Sequence, residues 1–256
     1  MSGDPFPRLY SAYSSLFTDD LPLWRSLADD SGDPILELGC GPGRVLLDLA
    51  AAGYELYGID HDPGMLQVAE SRIPPERKSN IHLILAEIWN YELPMQFPLI
   101  IVPCNTFSYL DSNRANESLT TAFQHISSSG QLVIDMLNPE EITHQGSDEI
   151  TSSNGEPLTT FIEPESDHPV QVHASQSIDE AQRIAHVTWF FDELYPDGQV
   201  VRVERHITHH LRDEDEMCAL LIKAGFSSIQ FFGDYDLSPL TAQSPHMITI
   251  AQAKHQ

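Results

Sequence analysis

The chain has 256 residues and sets 13 lysines and arginines against 38 aspartates and glutamates, a formal charge of −25 at neutral pH. A protein that grips nucleic acid or an anionic membrane needs a basic face to neutralise phosphates, so the composition argues against both partners and tolerates a small neutral or cationic molecule. With 41% hydrophobic and 9% aromatic residues the chain can bury the core of one α/β domain enlarged by an insertion.

The stretch from Met1 to Tyr10 has neither the basic start nor the apolar run of an export signal. Tyr10 and Tyr13 then stand at helical spacing ahead of Phe17 and Asp20. From Ile35 to Asp135 short apolar segments alternate with helical patterns, the signature of βαβ units around a parallel sheet. Strands are predicted at residues 35–38, 55–59, 81–85, 99–102 and 131–136. Helices are predicted at 44–52, stopped by Gly53, from Pro63 behind an Asp62 cap, and over about 113–126. The longest aliphatic run, Leu99-Ile100-Ile101-Val102, is too short to span a bilayer.

From Glu140 to about Leu211 the pattern alternates and is rich in Thr, Val and aromatics, which predicts an antiparallel insertion. Its clearest part is a hairpin of residues 185–195 and 200–211 around Pro196-Asp197-Gly198. Val201, Val203, Arg205, Ile207, His209 and Leu211 share one face, and Val187, Trp189 and Phe191 share one face of the first strand. His206 and His210 point away from His209, and no cysteine accompanies them, so no metal site is assigned. A helix follows behind a capping box of Asp213 and Glu216 and closes at Lys223 and Gly225, and two strands, 228–232 and 247–251, end the pattern. Cys40, Cys104 and Cys218 are odd in number and far apart, which predicts buried reduced thiols and a cytoplasmic protein.

The chemistry is concentrated in Glu37-Leu38-Gly39-Cys40-Gly41-Pro42-Gly43-Arg44, a strand end, a glycine turn and a helix start. Glycines at 39, 41 and 43 let the backbone turn and approach a ligand, and the helix start presents free N–H groups. A dinucleotide fingerprint would need a third glycine where Arg44 stands. The acidic Glu37 suits an ammonium group better than a pyrophosphate.

This stretch resembles motif I of class I S-adenosylmethionine-dependent methyltransferases. Two further elements resemble the same family in the same order: Tyr57-Gly58-Ile59-Asp60 followed by His61-Asp62-Pro63-Gly64-Met65-Leu66, and Ala86-Glu87-Ile88-Trp89. Ala224-Gly225-Phe226 and Gly233-Asp234-Tyr235-Asp236 are similar to the end of the family's small-molecule branch. The resemblance implies a Rossmann-like seven-stranded methyltransferase sheet over residues 1–139 and 212–256, with the antiparallel β insertion, residues 140–211, placed after strand five as a roof for the acceptor pocket. It implies S-adenosylmethionine as methyl donor, S-adenosylhomocysteine as product, and a donor site drawn from Tyr13, Glu37, Gly39, Cys40, Gly41, Gly43, Asp60, His61, Met65, Glu87, Ile88, Trp89 and Pro103. Asp60 would hold the ribose, Glu87 the adenine amino group, and Trp89 would wall the adenine pocket.

The loop Pro103-Cys104-Asn105-Thr106-Phe107-Ser108-Tyr109 follows strand four, where open α/β sheets meet their ligands. It is not the Asn/Asp-Pro-Pro-aromatic box of base and amide N-methylases. Candidates for acceptor handling are Asn105, Tyr109, Arg205 and His209, with Arg205 as a structural ion-pair partner as the plainer reading. The expected activity is in-line methyl transfer to a small-molecule acceptor, at N or O in preference to C, by a monomer or homodimer. A non-catalytic S-adenosylmethionine-binding sensor or scaffold is the competing reading.

Overall fold

The computed structural model describes residues 4–144 and 156–253. Two helices, α1 (Phe6–Ser14) and α2 (Leu21–Ser31), precede the alternating core of β1 (Ile35–Leu38), α3 (Arg44–Ala52), β2 (Leu56–Asp60), α4 (Pro63–Arg72), β3 (Ile81–Leu85), β4 (Phe97–Val102), α5 (Ser112–His125) and β5 (Ile126–Leu137). A short α6 (Pro139–His144) leads toward β6 (Thr159–Ile162), β7 (Pro169–Asp179), β8 (Ile184–Leu194) and β9 (Val200–His210). The chain returns through α7 (Glu214–Ala224), β10 (Phe226–Phe232) and β11 (His246–Ala253).

Seven strands form one sheet in the order β10-β11-β5-β4-β1-β2-β3, all running the same way except β11, which pairs antiparallel with both β10 and β5. The central strands are buried on both faces, which explains their nearly continuous apolar sequence. Leu36, Leu38, Ile100, Val102 and Leu132 pack with Ala115 and Leu119 of α5 and Met217 and Leu221 of α7. Ile35, Leu99, Ile101 and Val133 pack on the other face with Trp24 and Leu27 of α2 and Leu46 and Leu49 of α3. Each such large side chain contributes about 1.5–3 kcal/mol by leaving water.

The parallel strands all end at one edge of the sheet, so the turn after β1, Asp60 and the loops after β3, β4 and β5 meet there. The chain winds from β1 toward β2 and later from β1's other side through β4, and ligands of open α/β sheets bind at such a switch of direction.

The second sheet is antiparallel, in the order β6-β7-β8-β9. Its inner face carries Phe161, Val170, Val172, Phe191 and Val203, which pack on Leu9 and Ala12 of α1. Arg8 of α1 reaches the same sheet, pairing with Glu163 and, at 2.9 Å, with Glu193. The helix before the core is thereby fastened to the strands inserted after β5. The expected hairpin forms, with Trp189 opposite Arg205 and Phe191 opposite Val203.

Some boundaries differ from expectation. Strand five begins at Ile126, directly after α5, because Ile126 pairs with Phe97 while Ser127 to Gly130 take up a register shift that carries no apolar alternation. Strand four likewise starts at Phe97, and strand two runs to Asp60. Of the three thiols expected to be buried only Cys40 is; Cys218 is half-buried, and Cys104 is exposed because it stands at the mouth of the cleft described next. Part of the expected insertion, residues 145–155, lies outside the described residues.

Candidate active site

The turn after β1 is held by its own backbone. Gly39 and Cys40 N–H groups both donate to the Ile59 carbonyl, at 2.8 and 3.0 Å, which fixes the turn against the end of β2. Gly39 has φ +75°, and a Cβ there would lie 2.4 Å from Thr106 Cγ2, so only glycine lets the loop after β4 come this close. Gly41 has φ +52°, and a Cβ there would meet nothing within 4 Å because the position opens on a cavity. Its N–H donates to Asp60 Oδ2 at 2.8 Å, while Asp62 N–H donates to Asp60 Oδ1 at 2.9 Å. Asp62 also caps α4 through Gly64 N–H. Burial raises the Asp60 carboxyl above its ordinary value, and the two amides work against that shift.

The cavity has a volume of about 670 Å³ and runs from the glycine turn past Asp60, His61 and Met65 to Glu87, Ile88 and Trp89. Arg114 lies over the Trp89 ring at 4.1 Å and holds that wall from behind. The opposite wall comes from α1, with Phe6, Tyr10 and Ser14, and from β9, with Arg205 to Thr208. Arg44 closes one end, its guanidinium bound in two contacts to Asp20, at 2.5 and 2.6 Å, and in a third to Cys104 Sγ at 2.8 Å. Asp20 also accepts the Trp24 indole N–H at 2.8 Å, so the cation is anchored in the α2 core.

A second, smaller cavity of about 220 Å³ abuts the first, and Phe6, Tyr10, Cys104, Tyr109 and Ile207 border both. Its far wall is aromatic, with Tyr13, Trp189 and Phe191, and its floor is polar, with Asn105, His209, Asp135, Tyr235 and His246. Asp135, at the end of β5, accepts from Cys104 N–H at 3.1 Å, Tyr235 Oη–H at 3.3 Å and His246 Nδ1 at 3.2 Å. The Asp135 carbonyl also takes Asn105 N–H at 3.1 Å. These bonds hold Cys104 and Asn105 at φ +58° and +59°, a left-handed conformation that costs non-glycine residues about 1–2 kcal/mol. The aspartate thus sets the shape of the loop between the two cavities.

Residues 35–130 match the family described as a methyltransferase domain. A Geobacillus sp. (strain WCH70) protein with a provisional methyltransferase name is 22% identical over 78% of this chain and 76% of its own length. An S-adenosylmethionine-dependent methyltransferase of Clostridium acetobutylicum superposes with a TM-score of 0.77 at 14% identity, over 98% of both chains. An amino pentose methyltransferase of Micromonospora echinaspora, solved with S-adenosylmethionine bound, gives 0.68 at 14% identity over 96% of both. Residues 35–130 carry a methyltransferase domain, and the chain shares its fold with S-adenosylmethionine-dependent methyltransferases.

Of the residues expected at a donor site, Gly39, Cys40, Gly41, Asp60, His61, Met65, Glu87, Ile88 and Trp89 border the larger cavity. Tyr109 borders both cavities and Arg205 the larger. Asn105, His209 and Tyr13 border only the smaller one, so Tyr13 stands apart from the other residues expected at a donor site. Gly43 and Pro103 border neither: Gly43 caps α3, and the Pro103 carbonyl accepts the Thr106 hydroxyl at 2.8 Å. Glu37 also borders neither, since strand alternation puts it on the Ile35 side beneath α3. There one oxygen lies against the Leu46 amide and Oε2 has no partner, and burial pushes the carboxyl up to about 8 against the pull of Arg44.

Arg205 pairs with Asp4 and lies 4.4 Å over the Phe6 ring, which gives the ion-pair reading its physical counterpart, whereas of the two cavities it borders only the larger. Sequence reasoning missed Asp135 and His246, and of the segment from Tyr10 to Asp20 it assigned only Tyr13 to the site. Asp135 had a usable signal, an acid closing an apolar strand; His246 had none.

Proposed function

We propose that the chain transfers the methyl group of S-adenosylmethionine to a nitrogen or oxygen of a small-molecule acceptor, nitrogen being favoured. The observation that carries this reading is the pair of abutting cavities that share Tyr10, Cys104, Tyr109 and Ile207, one leading from the glycine turn and one ending at two histidines and an aspartate. The larger cavity fits the donor: a volume of about 670 Å³ suits a ligand of that size, and Gly41 leaves open the space a side chain would fill.

In that cavity Asp60 would accept from the ribose hydroxyls, Glu87 from the adenine amino group, and Trp89 would cover the ring. Arg44 would face the amino-acid carboxylate. The donor, when bound, supplies an electrophilic methyl on a positively charged sulfur. The protein's own part is alignment: Tyr10, Tyr109 and Ile207 exclude water at the junction, and the smaller cavity directs an acceptor lone pair along the line of attack. Aromatic walls with Asp135 behind them suit an amine better than an anion. The strongly acidic composition supports a small molecule over nucleic acid as acceptor. Among the described residues no helix is long and apolar enough to cross a membrane.

The test is incubation of the protein with methyl-labelled S-adenosylmethionine and a deproteinised cell extract. Label should enter the small-molecule fraction, with one S-adenosylhomocysteine formed per methyl. Binding of the donor without any transfer would favour the sensor reading, and label in added transfer RNA or protein would redirect the acceptor class.

A further inference from the structure

Two histidines enter the smaller cavity, and their partners fix them in different ways. Asn105 Oδ1 accepts the Leu137 amide at 3.2 Å, which decides the orientation of the carboxamide and turns Nδ2 toward His209 Nδ1, 3.0 Å away. An amide NH₂ has only protons to offer, so His209 Nδ1 must present its lone pair. A proton on Nδ1 would set two N–H groups against each other at that distance. Ser108 Oγ lies 2.7 Å from the same nitrogen and 2.7 Å from the Asn105 carbonyl, and its single proton can serve only one of them, so the Asn105 amide is the group that decides. The His209 proton therefore sits on Nε2.

His246 has the reverse arrangement. Its Nδ1 lies 3.2 Å from Asp135 Oδ1, and Asp135 Oδ2 is already taken by Cys104 N–H and Tyr235 Oη–H. An ionised carboxylate can only accept, so Nδ1 carries the proton and a neutral His246 keeps its lone pair on Nε2. The groups around it are Asp135 from β5, Asp20 at the start of α2, Asp234 after β10, and the Tyr235 ring at 4.3 Å.

We infer that His209 and His246 face the acceptor cavity as opposite tautomers, His209 as an Nε2–H donor that holds the acceptor and His246 as the base that takes its proton at Nε2. The inference rests on the function proposed above and selects an acceptor with an N–H or O–H to lose. The acceptor lone pair forms the bond to the methyl carbon, and the carbon–sulfur pair goes to sulfur. The acceptor's proton passes to His246 Nε2, leaving an imidazolium paired with Asp135 that later releases the proton to water. The titration behaviour agrees with this division. Burial and the neighbouring His210 push His209 down to about 4, so it stays neutral. Burial also opposes the His246 cation, but the bond to Asp135 and the surrounding carboxylates outweigh it and raise His246 above its ordinary value.

The experiment uses the full chain labelled with ¹⁵N-histidine, with long-range proton–nitrogen spectra from pH 6 to 9 assigned by the signals lost in His209→Gln and His246→Gln. His209 should appear as the Nε2–H form throughout, and His246 as the Nδ1–H form that titrates, with its midpoint lowered in Asp135→Asn. Either tautomer reversed overturns the inference. The kinetic arm measures methyl transfer into the deproteinised extract over the same pH range. The wild-type rate should rise with pH through one group. Asp135→Asn should move that rise to lower pH, and His246→Gln should remove it and lower the rate at least about tenfold, the lower end of general-base effects being larger still. His209→Gln should raise the extract concentration needed for half-maximal rate and leave the pH rise in place. A His246→Gln enzyme with the wild-type pH profile overturns the base. If the wild type transfers nothing, the proposed function fails, and the spectra still decide the tautomers.

Discussion

Asp60 Oδ2 accepts the Gly41 N–H at 2.8 Å, so the last residue of β2 and the apex of the glycine turn are one rigid unit at the cavity wall. The carboxylate both holds the turn and lines the cavity. Asp60→Ala is expected to weaken S-adenosylhomocysteine binding about tenfold or more, since hydrogen bonds to an ionised group are worth about 1.5–3 kcal/mol. Calorimetric titration checks this, and an unchanged affinity would place the ribose elsewhere.

Gly39 and Gly41 should respond differently to a side chain. In Gly39→Ala the new methyl meets Thr106 Cγ2 at 2.4 Å in addition to the positive φ, so the loop after β4 must shift and stability should fall. In Gly41→Val the side chain enters open cavity, so the strain is that of the backbone, about 1–2 kcal/mol, while donor binding is lost. Thermal melting and ligand titration of both variants separate the two effects. Equal losses of stability with retained binding would contradict the assignment of the cavity.

Glu37 predicts a pH dependence of stability. Its carboxyl is pushed by burial to about 8 in the folded protein from an ordinary value of 4.5. Between those values the folded state binds the extra proton, so this group's contribution is full below the ordinary value and is lost as pH rises toward the folded one. The slope is at most about 1.4 kcal/mol per pH unit. Glu37→Gln should remove this slope and melt higher than the wild type at pH 8, with little difference near pH 4.5. Parallel melting curves at the two pH values for wild type and variant would show that Glu37 is ionised in the fold.

The sheet was legible in the sequence because the central strands are apolar on both faces and the punctuation between them is specific: Gly53 ends α3, Asp62 caps α4, and Asp213 with Glu216 starts α7. The lining of the larger cavity was legible because a single turn and the next strand end carry much of it. The floor of the smaller cavity was not. Asp135, Tyr235 and His246 come from three places in the chain and meet only because β11 pairs with β5 and the loop after β10 folds back over that edge. Glu37 borders neither cavity because it shares the Ile35 face of β1, which the glycine motif by itself does not specify.

Arg8 should prove structural. It joins α1 to the inserted sheet through Glu163 and Glu193, whose side chains are only 2% and 3% exposed. Arg8→Ala takes the shared cation from both carboxylates, leaving Glu163 the Glu165 and Ser166 amides and Glu193 the His168 ring, and breaking a buried pair of this kind costs about 3–5 kcal/mol. A large drop in melting temperature is expected, and hydrogen exchange should show faster opening of α1 and of the strands it covers. A variant that melts within a degree or two of the wild type would mean that the apolar contacts of Leu9 and Ala12 alone hold the helix.

The most direct measurement on the central claim is calorimetric titration of the purified full chain with S-adenosylhomocysteine, with NAD as the control ligand and Gly41→Val alongside. The account predicts one site per chain with micromolar affinity for S-adenosylhomocysteine, none for NAD, and loss of the site in the folded variant. Binding of NAD in preference to S-adenosylhomocysteine, or undiminished binding in Gly41→Val, would contradict it.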